Sequence, residues 1–162
     1  MEKKQSILVI TSVENLQNSV ISFLKSSVSI PGIYLSLNKT QASIEKILQG
    51  SGIDTKKLFF IDCVTSEKKK EDVLHIHPTQ LELLTTAIKS FIQEIQGEKF
   101  LLIDALSTLL IYNNPNKVAQ FVKEITEFAS ANYVTVIAFS PKTKGEELLE
   151  KIFNFFDEVR KK

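Results

Sequence analysis

The sequence predicts a three-layer α/β fold in which a mostly parallel sheet lies between two layers of helices. Short apolar runs alternate with amphipathic helical periods along the chain. The apolar runs are nearly continuous, which is typical of parallel strands that are buried on both faces. Strands that alternate with helices, joined by right-handed crossovers, give a sheet that is flanked by helices.

Five segments are predicted as strands because they are short, apolar and rich in residues that favour β structure. They are residues 6–11, 32–37, 58–64, 99–104 and 133–139. Helices are predicted between them, since apolar side chains recur there at helical spacing. The residues that share a face are Ile44, Ile47 and Leu48, in a helix that ends at Gly50; Leu81, Leu84, Ile88, Ile92 and Ile95; Val118, Phe121, Val122, Ile125 and Phe128; and Leu148, Leu149, Ile152 and Phe153. Residues 156–162 fit either a sixth strand or a frayed end.

Length and composition predict one domain over residues 1–162 and restrict its partners. Twenty basic and nineteen acidic residues give a net charge of +1, so no global field attracts nucleic acid or an anionic membrane. No apolar run approaches the ~20 residues of a membrane span. The single cysteine, Cys63, has no partner for an internal disulfide. We therefore expect a cytoplasmic protein without membrane or nucleic-acid partners.

The turn after the first predicted strand lacks the chemistry of a phosphate-binding loop. Such a loop needs glycines that let the backbone wrap the ligand and a lysine that neutralises it, and residues 11–15 contain neither. Thr11 and Glu14 instead have the spacing of a capping box. That cap would occupy the helix N-terminus, where a phosphate would otherwise bind. The alternative is an atypical polar site that uses Ser12 or Asn15.

Asp104 ends a very apolar predicted strand and is a candidate metal ligand. Its carboxylate could hold Mg²⁺ through water, but Mg²⁺ usually needs a bound phosphate to complete its shell. Because no phosphate loop is present, we favour an aspartate that caps the next turn through its own backbone. Lys142 and Lys144 follow the last of the five predicted strands, where they form either an anion contact or a solvated loop.

The other residues that could carry chemistry have structural explanations. On a strand, His75 and His77 would share a face, but a third zinc ligand at a suitable spacing is missing and Asp72 alone is weak support. Cys63 is interpreted as a small buried side chain rather than a nucleophile. The sequence contains no G-x-S-x-G motif. We therefore expect neither a metal nor a cofactor.

The order of these segments resembles the RecA-like ATPase domain of the KaiC family, which has many archaeal members. ILVITS and SVISFL resemble the strand and helix that flank the family's Walker A loop, and PGIYLSLNKTQASIEKILQGSGID and KKLFFIDC resemble the segments that follow. PTQLELLTTAIKSFIQEIQGEKFLLIDALSTLL resembles the long helix and the Walker B strand, and FVKEITEFASANYVTVIAFS the next helix and strand. The resemblance implies a RecA-like domain with the P-loop NTPase fold.

Departures from the family pattern determine the functional hypothesis. The Walker A glycines and lysine have no counterpart, so residues 11–15 are a degenerate Walker A turn. The family's catalytic glutamates would fall at Asn38 and Lys39, neither of which is an acid that can activate water. Asp104 alone matches its family position, at the end of the Walker B strand.

The resemblance and these departures together predict a pseudo-ATPase rather than an enzyme. In this hypothesis a catalytically inactive domain works by protein–protein interaction, either by regulating an active KaiC-like ATPase or by assembling with itself, and binds no nucleotide. The alternative is a non-hydrolysing binder of a nucleotide or small anion. Its contacts would come from Ser12, Asn38, Asp104 and Lys142. An enzyme of unrelated chemistry is the weakest hypothesis, because no serine, cysteine or histidine lies in an activated setting.

Overall fold

A parallel sheet forms the centre of the computed structural model, which describes residues 5–64, 73–142 and 149–162. Its strands are β1 (Ser6–Thr11), β2 (Gly32–Ser36), β3 (Leu58–Asp62), β4 (Leu74–His75), β5 (Phe100–Asp104), β6 (Thr135–Pro141) and β7 (Glu158–Lys161). They lie in the order β4-β3-β2-β5-β6-β1-β7, and every adjacent pair is parallel.

Helices connect the strands and cover both faces of the sheet. They are α1 (Val13–Ser26), α2 (Gln41–Gly50), α3 (Leu81–Glu94), α4 (Ser107–Tyr112) and α5 (Pro115–Ala131), and a 3-10 turn spans Phe153–Phe155. The predicted three-layer α/β class is confirmed. No helix in the described part of the chain is both long enough and apolar enough to cross a membrane.

Each face of the sheet has its own apolar core, because successive strand residues point to opposite faces. In β1, Leu8 and Ile10 pack into the core beneath α3 and α5, whereas Ile7 and Val9 pack into the core beneath α1 and α2. The predicted faces of α3 and α5 are confirmed, and that of α2 is confirmed at Ile44 and Leu48, whereas Ile47 is half-buried. Their buried residues include Ile44 and Leu48 in α2, Leu84, Ile88 and Ile92 in α3, and Val118, Phe121, Val122 and Ile125 in α5.

Several element boundaries differ from the predicted ones. The strand expected at 133–139 is β6, which begins two residues later because Tyr133 has a φ of 57° and the N–H of Val134 donates to the carbonyl of Ala129. Both residues therefore belong to the turn that ends α5. The open alternative for residues 156–162 is resolved in favour of a strand, β7. The short elements β4 and α4 are not among the predicted ones.

The helix predicted on Leu148, Leu149, Ile152 and Phe153 is described only in part. Leu148 lies outside the described residues. Leu149 and Ile152 are buried in the core beneath α3 and α5, and Phe153 begins the 3-10 turn. The apolar side chains of this segment therefore pack into the core, as the sequence indicates.

The predicted capping box at the start of α1 is wrong. The N-cap is Ser12, whose hydroxyl accepts a hydrogen bond from the N–H of Asn15 at 3.3 Å. Thr11 is still a strand residue, because its carbonyl accepts a hydrogen bond of 2.7 Å from the N–H of Lys142 at the end of β6. Glu14 lies in the first turn of α1, one residue before the position that closes a capping box with Ser12.

Gly32 is the one glycine of the described chain whose missing side chain leaves room for a neighbour. It starts β2 and lies opposite Phe100 of β5 in the parallel register. A Cβ atom at Gly32 would lie 2.1 Å from Cζ of Phe100. The Phe100 ring is held in place by an edge-to-face contact with Phe23 of α1, whose ring centroid is 5.2 Å away. The absence of a side chain at Gly32 therefore leaves room for the ring through which β5 contacts α1.

We expect Gly32→Ala to lower the free energy of unfolding by about 1–3 kcal/mol, the usual cost of overpacking. Gly50→Ala is the control, because a Cβ atom at Gly50 meets nothing within 4 Å, and it should leave stability unchanged or raise it by up to about 1 kcal/mol. Urea denaturation measures both. Adding Phe100→Leu to Gly32→Ala should cost less than the sum of the two single changes. Additive losses would contradict a direct clash.

Candidate functional site at the carboxyl edge of the sheet

The strand order places a crevice between β2 and β5. The chain leaves β2 for β3 on one side of the sheet, whereas it leaves β5 for β6 on the other side. The two connections therefore diverge above the carboxyl ends of two adjacent strands. In open α/β sheets this is the place where ligands bind. Asp104 ends β5, and Asn38 and Lys39 follow the end of β2, so three predicted site residues meet there.

Asp104 is buried, and its carboxylate is already engaged within the chain. The hydroxyl of Tyr34, a buried residue in the middle of β2, donates a hydrogen bond of 2.6 Å to Oδ2 of Asp104. No hydrogen bond from the next turn to this carboxylate is seen in the described residues, and α4 has no side-chain cap. The expectation that Asp104 caps the following turn is therefore wrong. The nearest strong donor is the Tyr34 hydroxyl, across the parallel strand pair.

Electrostatics support this pairing of a donor with an acceptor. Burial raises the pKa of the Asp104 carboxyl, while the hydrogen bond from Tyr34 and then the charge of Lys39 lower it. Burial also raises the pKa of the Tyr34 phenol well above its usual range, and the adjacent Asp104 charge and hydrogen bond add to that shift. The phenol therefore keeps its proton at neutral pH and acts as the donor.

The turn after β2 is tied both to β5 and to α1. The N–H of Leu37 donates to the Asp104 carbonyl at 2.7 Å. The hydroxyl of Thr108, in α4, donates to Oδ1 of Asn38. Nζ of Lys39 donates to Oε1 of Gln17, in α1, at 2.9 Å. Lys39 thus bridges the turn after β2 to the first helix and brings a positive charge near Asp104.

The turn after β1 lies at the same edge but is separated from β5 by β6. Its first residues are occupied by local contacts, since Ser12 caps α1 and the Thr11 carbonyl accepts from Lys142. The side chain of Lys142 is exposed. Lys144, the other predicted anion contact, lies outside the described residues, as does Asp72. Within the described residues, Lys142 is therefore joined to the first turn through its backbone N–H.

The two histidines do not form a shared site. β4 contains only Leu74 and His75, so the expectation that His75 and His77 share the face of a strand is wrong. Nδ1 of His75 lies 3.9 Å from Oδ2 of Asp62, whereas Nδ1 of His77 lies 2.7 Å from the hydroxyl of Thr79. Among the described residues, no group of three or more His, Cys, Asp or Glu side chains could hold a metal ion.

Cys63 follows β3 directly and is buried. Burial, with a smaller contribution from the negative charge of Asp62, raises the pKa of its thiol to about 12. A thiol with that pKa is protonated at neutral pH and is a poor nucleophile. The interpretation of Cys63 as a small buried side chain is confirmed.

Three residues of this cluster are not among the predicted ones: Tyr34, Gln17 and Thr108. For Tyr34 a signal existed, because a tyrosine inside an apolar strand must place its hydroxyl against a polar partner. An aspartate at the end of another buried strand is such a partner. Gln17 and Thr108 carried no comparable signal, since both are ordinary polar residues of helices.

A family model described as "protein of unknown function (DUF835)" matches residues 36–153. The chain belongs to the DUF835 family. The matched region of this DUF835 protein includes Asn38, Lys39 and Asp104, and it begins after Tyr34. A search of curated proteins found no match.

Solved structures show which fold this DUF835 chain adopts. The uncharacterized protein PH0321 from Pyrococcus horikoshii, crystallised with an unknown peptide, superposes with a TM-score of 0.74 at 15% identity, covering 99% of this chain and 78% of PH0321. The KaiC-like protein PH0186 from Pyrococcus horikoshii OT3 superposes with a TM-score of 0.70 at 12% identity, covering 96% of this chain and 69% of PH0186. The DUF835 chain therefore has a KaiC-like, RecA-like fold, as its resemblance to that family implies.

We expect Tyr34→Phe to lower the free energy of unfolding by about 1.5–3 kcal/mol, because it removes a hydrogen bond to a buried charged group. Tyr133→Phe is the matched control, since the Tyr133 side chain is 45% exposed, and it should change stability by less than about 0.5 kcal/mol. Chemical denaturation at pH 7 measures both variants. Equal effects of the two changes would mean that the Tyr34–Asp104 hydrogen bond adds nothing to stability.

Asp104→Asn tests the same pair through its pH dependence. Because burial raises the pKa of Asp104, the native chain binds a proton there more tightly than the unfolded chain, so ionisation costs the wild type stability as pH rises. Asparagine has no such cost and can still accept from Tyr34. At pH 7 the variant should be as stable as the wild type or more stable, and this advantage should shrink as pH falls toward about 4, the ordinary aspartate range. A deficit at pH 7 that disappears in acid has the opposite sign and would refute the argument.

Proposed function

We propose that this chain is a catalytically inactive KaiC/RecA-like domain that binds protein and regulates an active KaiC-like ATPase. One observation carries the proposal. The acid that matches the Walker B position, Asp104, is used as a buried acceptor for Tyr34, and a lysine, Lys39, stands beside it where the family resemblance places a catalytic glutamate.

The chemistry of phosphoryl transfer supports inactivity. Catalysis of that reaction depends almost entirely on positioning the phosphates and stabilising their charge. The turn at residues 11–15 supplies neither glycine nor lysine, and Ser12 occupies the start of α1. Neither an amide at Asn38 nor a lysine at Lys39 provides the carboxylate that would activate water. These features together leave Asp104 without the partners that a nucleotide site requires.

Exposed apolar side chains support a protein-binding role. Ile111 and Tyr112, at the end of α4, are 77% and 51% exposed. The Tyr112 ring is held edge-on by the ring of His77, with centroids 6.0 Å apart. Contiguous exposed apolar surface marks protein interaction sites, and these two adjacent side chains are the part of such a surface that the proposal uses. PH0321, a neighbour in fold, was crystallised with an unknown peptide.

A second candidate function is the binding of a small anion without hydrolysis. The charge of Lys39 at the crevice and the position of Lys142 beside the first turn favour it. Titration calorimetry with ATP, ADP and inorganic phosphate, each with and without Mg²⁺, separates the two functions. A saturable heat signal would favour the anion binder, and its absence at millimolar ligand would remove that candidate.

The proposal predicts that the chain forms a complex with an active KaiC-like ATPase from the same organism and changes its rate of ATP turnover. The chain alone should hydrolyse no ATP. Ile111→Ser should weaken the complex by roughly tenfold or more, since truncating a hot-spot residue costs about 2 kcal/mol or more and tenfold corresponds to ~1.4 kcal/mol. Val28→Ser is the control, because Val28 is 67% exposed in the turn between α1 and β2, away from the end of α4 in the chain. Co-sedimentation and a phosphate-release assay measure both effects. ATP hydrolysis by the purified chain would contradict the proposal.

A further inference from the structure

Helices α3 and α5 run side by side in the same direction on one face of the sheet. Each helix returns from the carboxyl edge to the amino edge, since it joins parallel strands. Two contacts fix their register. Nζ of Lys89 lies 2.7 Å from Oε1 of Glu124, and Nδ2 of Asn113 donates to the carbonyl of Pro78 at 3.0 Å. Both pairs are 35 residues apart in sequence. The second pair lies just before the two helices and the first pair lies between them, so the same offset applies at both places.

This register places a second pair of opposite charges across the groove. Glu82 lies seven residues, or two helical turns, before Lys89, and Lys117 lies seven residues before Glu124. The shared offset therefore places Glu82 across the groove from Lys117, and both residues line it. Lys89 and Glu124 are in direct contact. Among the described residues, these four are the only charged ones that line the groove between the helices, whose volume is about 740 Å³. They form a checkerboard of two negative and two positive charges, which we call the α3–α5 face.

We propose that the α3–α5 face binds a second copy of this chain through a two-fold axis. The two-fold axis lies in the plane of the face and runs either parallel or perpendicular to the helices. Rotation about it places each charge of the checkerboard opposite a charge of the other sign on the second copy. The antiparallel arrangement, for example, sets Glu82 against Lys89 of the second copy. A self-complementary surface of this kind is what an isologous dimer requires. The net charge of the face is zero, so no single-sign field repels the copies.

An apolar side chain in the first turn of α3 adds to this contact surface. Leu83 lines the groove and its side chain is 49% exposed, and Thr86, also exposed, leaves room for a side chain from the partner. The two helices are about 21–25 Å long at 1.5 Å per residue and together about 20 Å wide. That area lies at the low end of specific interfaces. The predicted dimer is therefore weak, in the micromolar range, and sensitive to salt.

The inference builds on the proposed protein-binding function by naming a partner, the chain itself, and it uses a different surface from Ile111 and Tyr112. Sedimentation equilibrium from low-micromolar to near-millimolar chain should show a monomer–dimer equilibrium that weakens as NaCl is added. Leu83→Asp should lower the association constant by at least tenfold. Val28→Asp, the control, introduces the same charge at an exposed valine and should leave the equilibrium unchanged.

A charge-swapped chain gives the sharpest test. Glu82→Lys, Lys89→Glu, Lys117→Glu and Glu124→Lys together preserve the pairs within each chain and between identical copies. The swapped chain should therefore dimerise like the wild type. It should not pair with the wild type, because every facing charge would then meet its own sign. Mixing differently labelled copies and measuring energy transfer between them reports both results.

Two outcomes would overturn the inference: a wild-type chain that stays monomeric throughout the concentration range, or a swapped chain that mixes freely with the wild type. Either result can occur while the chain still binds the KaiC-like ATPase. Conversely, the dimer can form when no such complex does. The failure of this inference is therefore distinguishable from the failure of the proposed function.

Discussion

The hydrogen bond between the Tyr34 hydroxyl and the Asp104 carboxylate is the contact on which the carboxyl edge of the sheet depends. A buried carboxylate needs a donor, because its desolvation is otherwise costly. The only residue seen to donate to it within the described chain lies on the adjacent strand, so the bond also fixes β2 against β5 at the point where the strand order diverges. The contact from Leu37 to Asp104 and the bridge from Lys39 to Gln17 extend this constraint to the turn after β2 and to α1.

In the proposed function, the same contact withdraws Asp104 from the reaction that a RecA-like ATPase catalyses. An acid that could serve a metal or a phosphate is instead a partner of the protein's own phenol, with a lysine beside it. In the proposed function, the role of the sheet and its crossovers is to position the surfaces that bind protein. Packing against the sheet positions both the exposed end of α4 and the α3–α5 face. Neither surface requires an intact nucleotide site.

Most of the fold was predictable from the sequence, because periodicity reports burial directly. The apolar stripe from Leu84 to Ile92 identified α3, and the run that ends at Asp104 identified β5. The candidate site was less predictable, because local sequence patterns do not determine the order of the strands in the sheet. Only when β2 lies next to β5 does Tyr34 reach Asp104. The predicted N-cap of α1 lies one residue too early, because the pairing of Thr11 with the end of β6 extends β1.

The most direct measurement of the central claim is an NMR titration of the isotopically labelled chain with Mg²⁺ and ATP, followed at backbone amides. If the carboxyl edge satisfies its own polar groups, the amide signals of Ser12, Lys39, Asp104 and Thr108 should not move up to millimolar nucleotide. Saturable shifts at these residues, with the Tyr34–Asp104 pair broken in the bound form, would contradict the account.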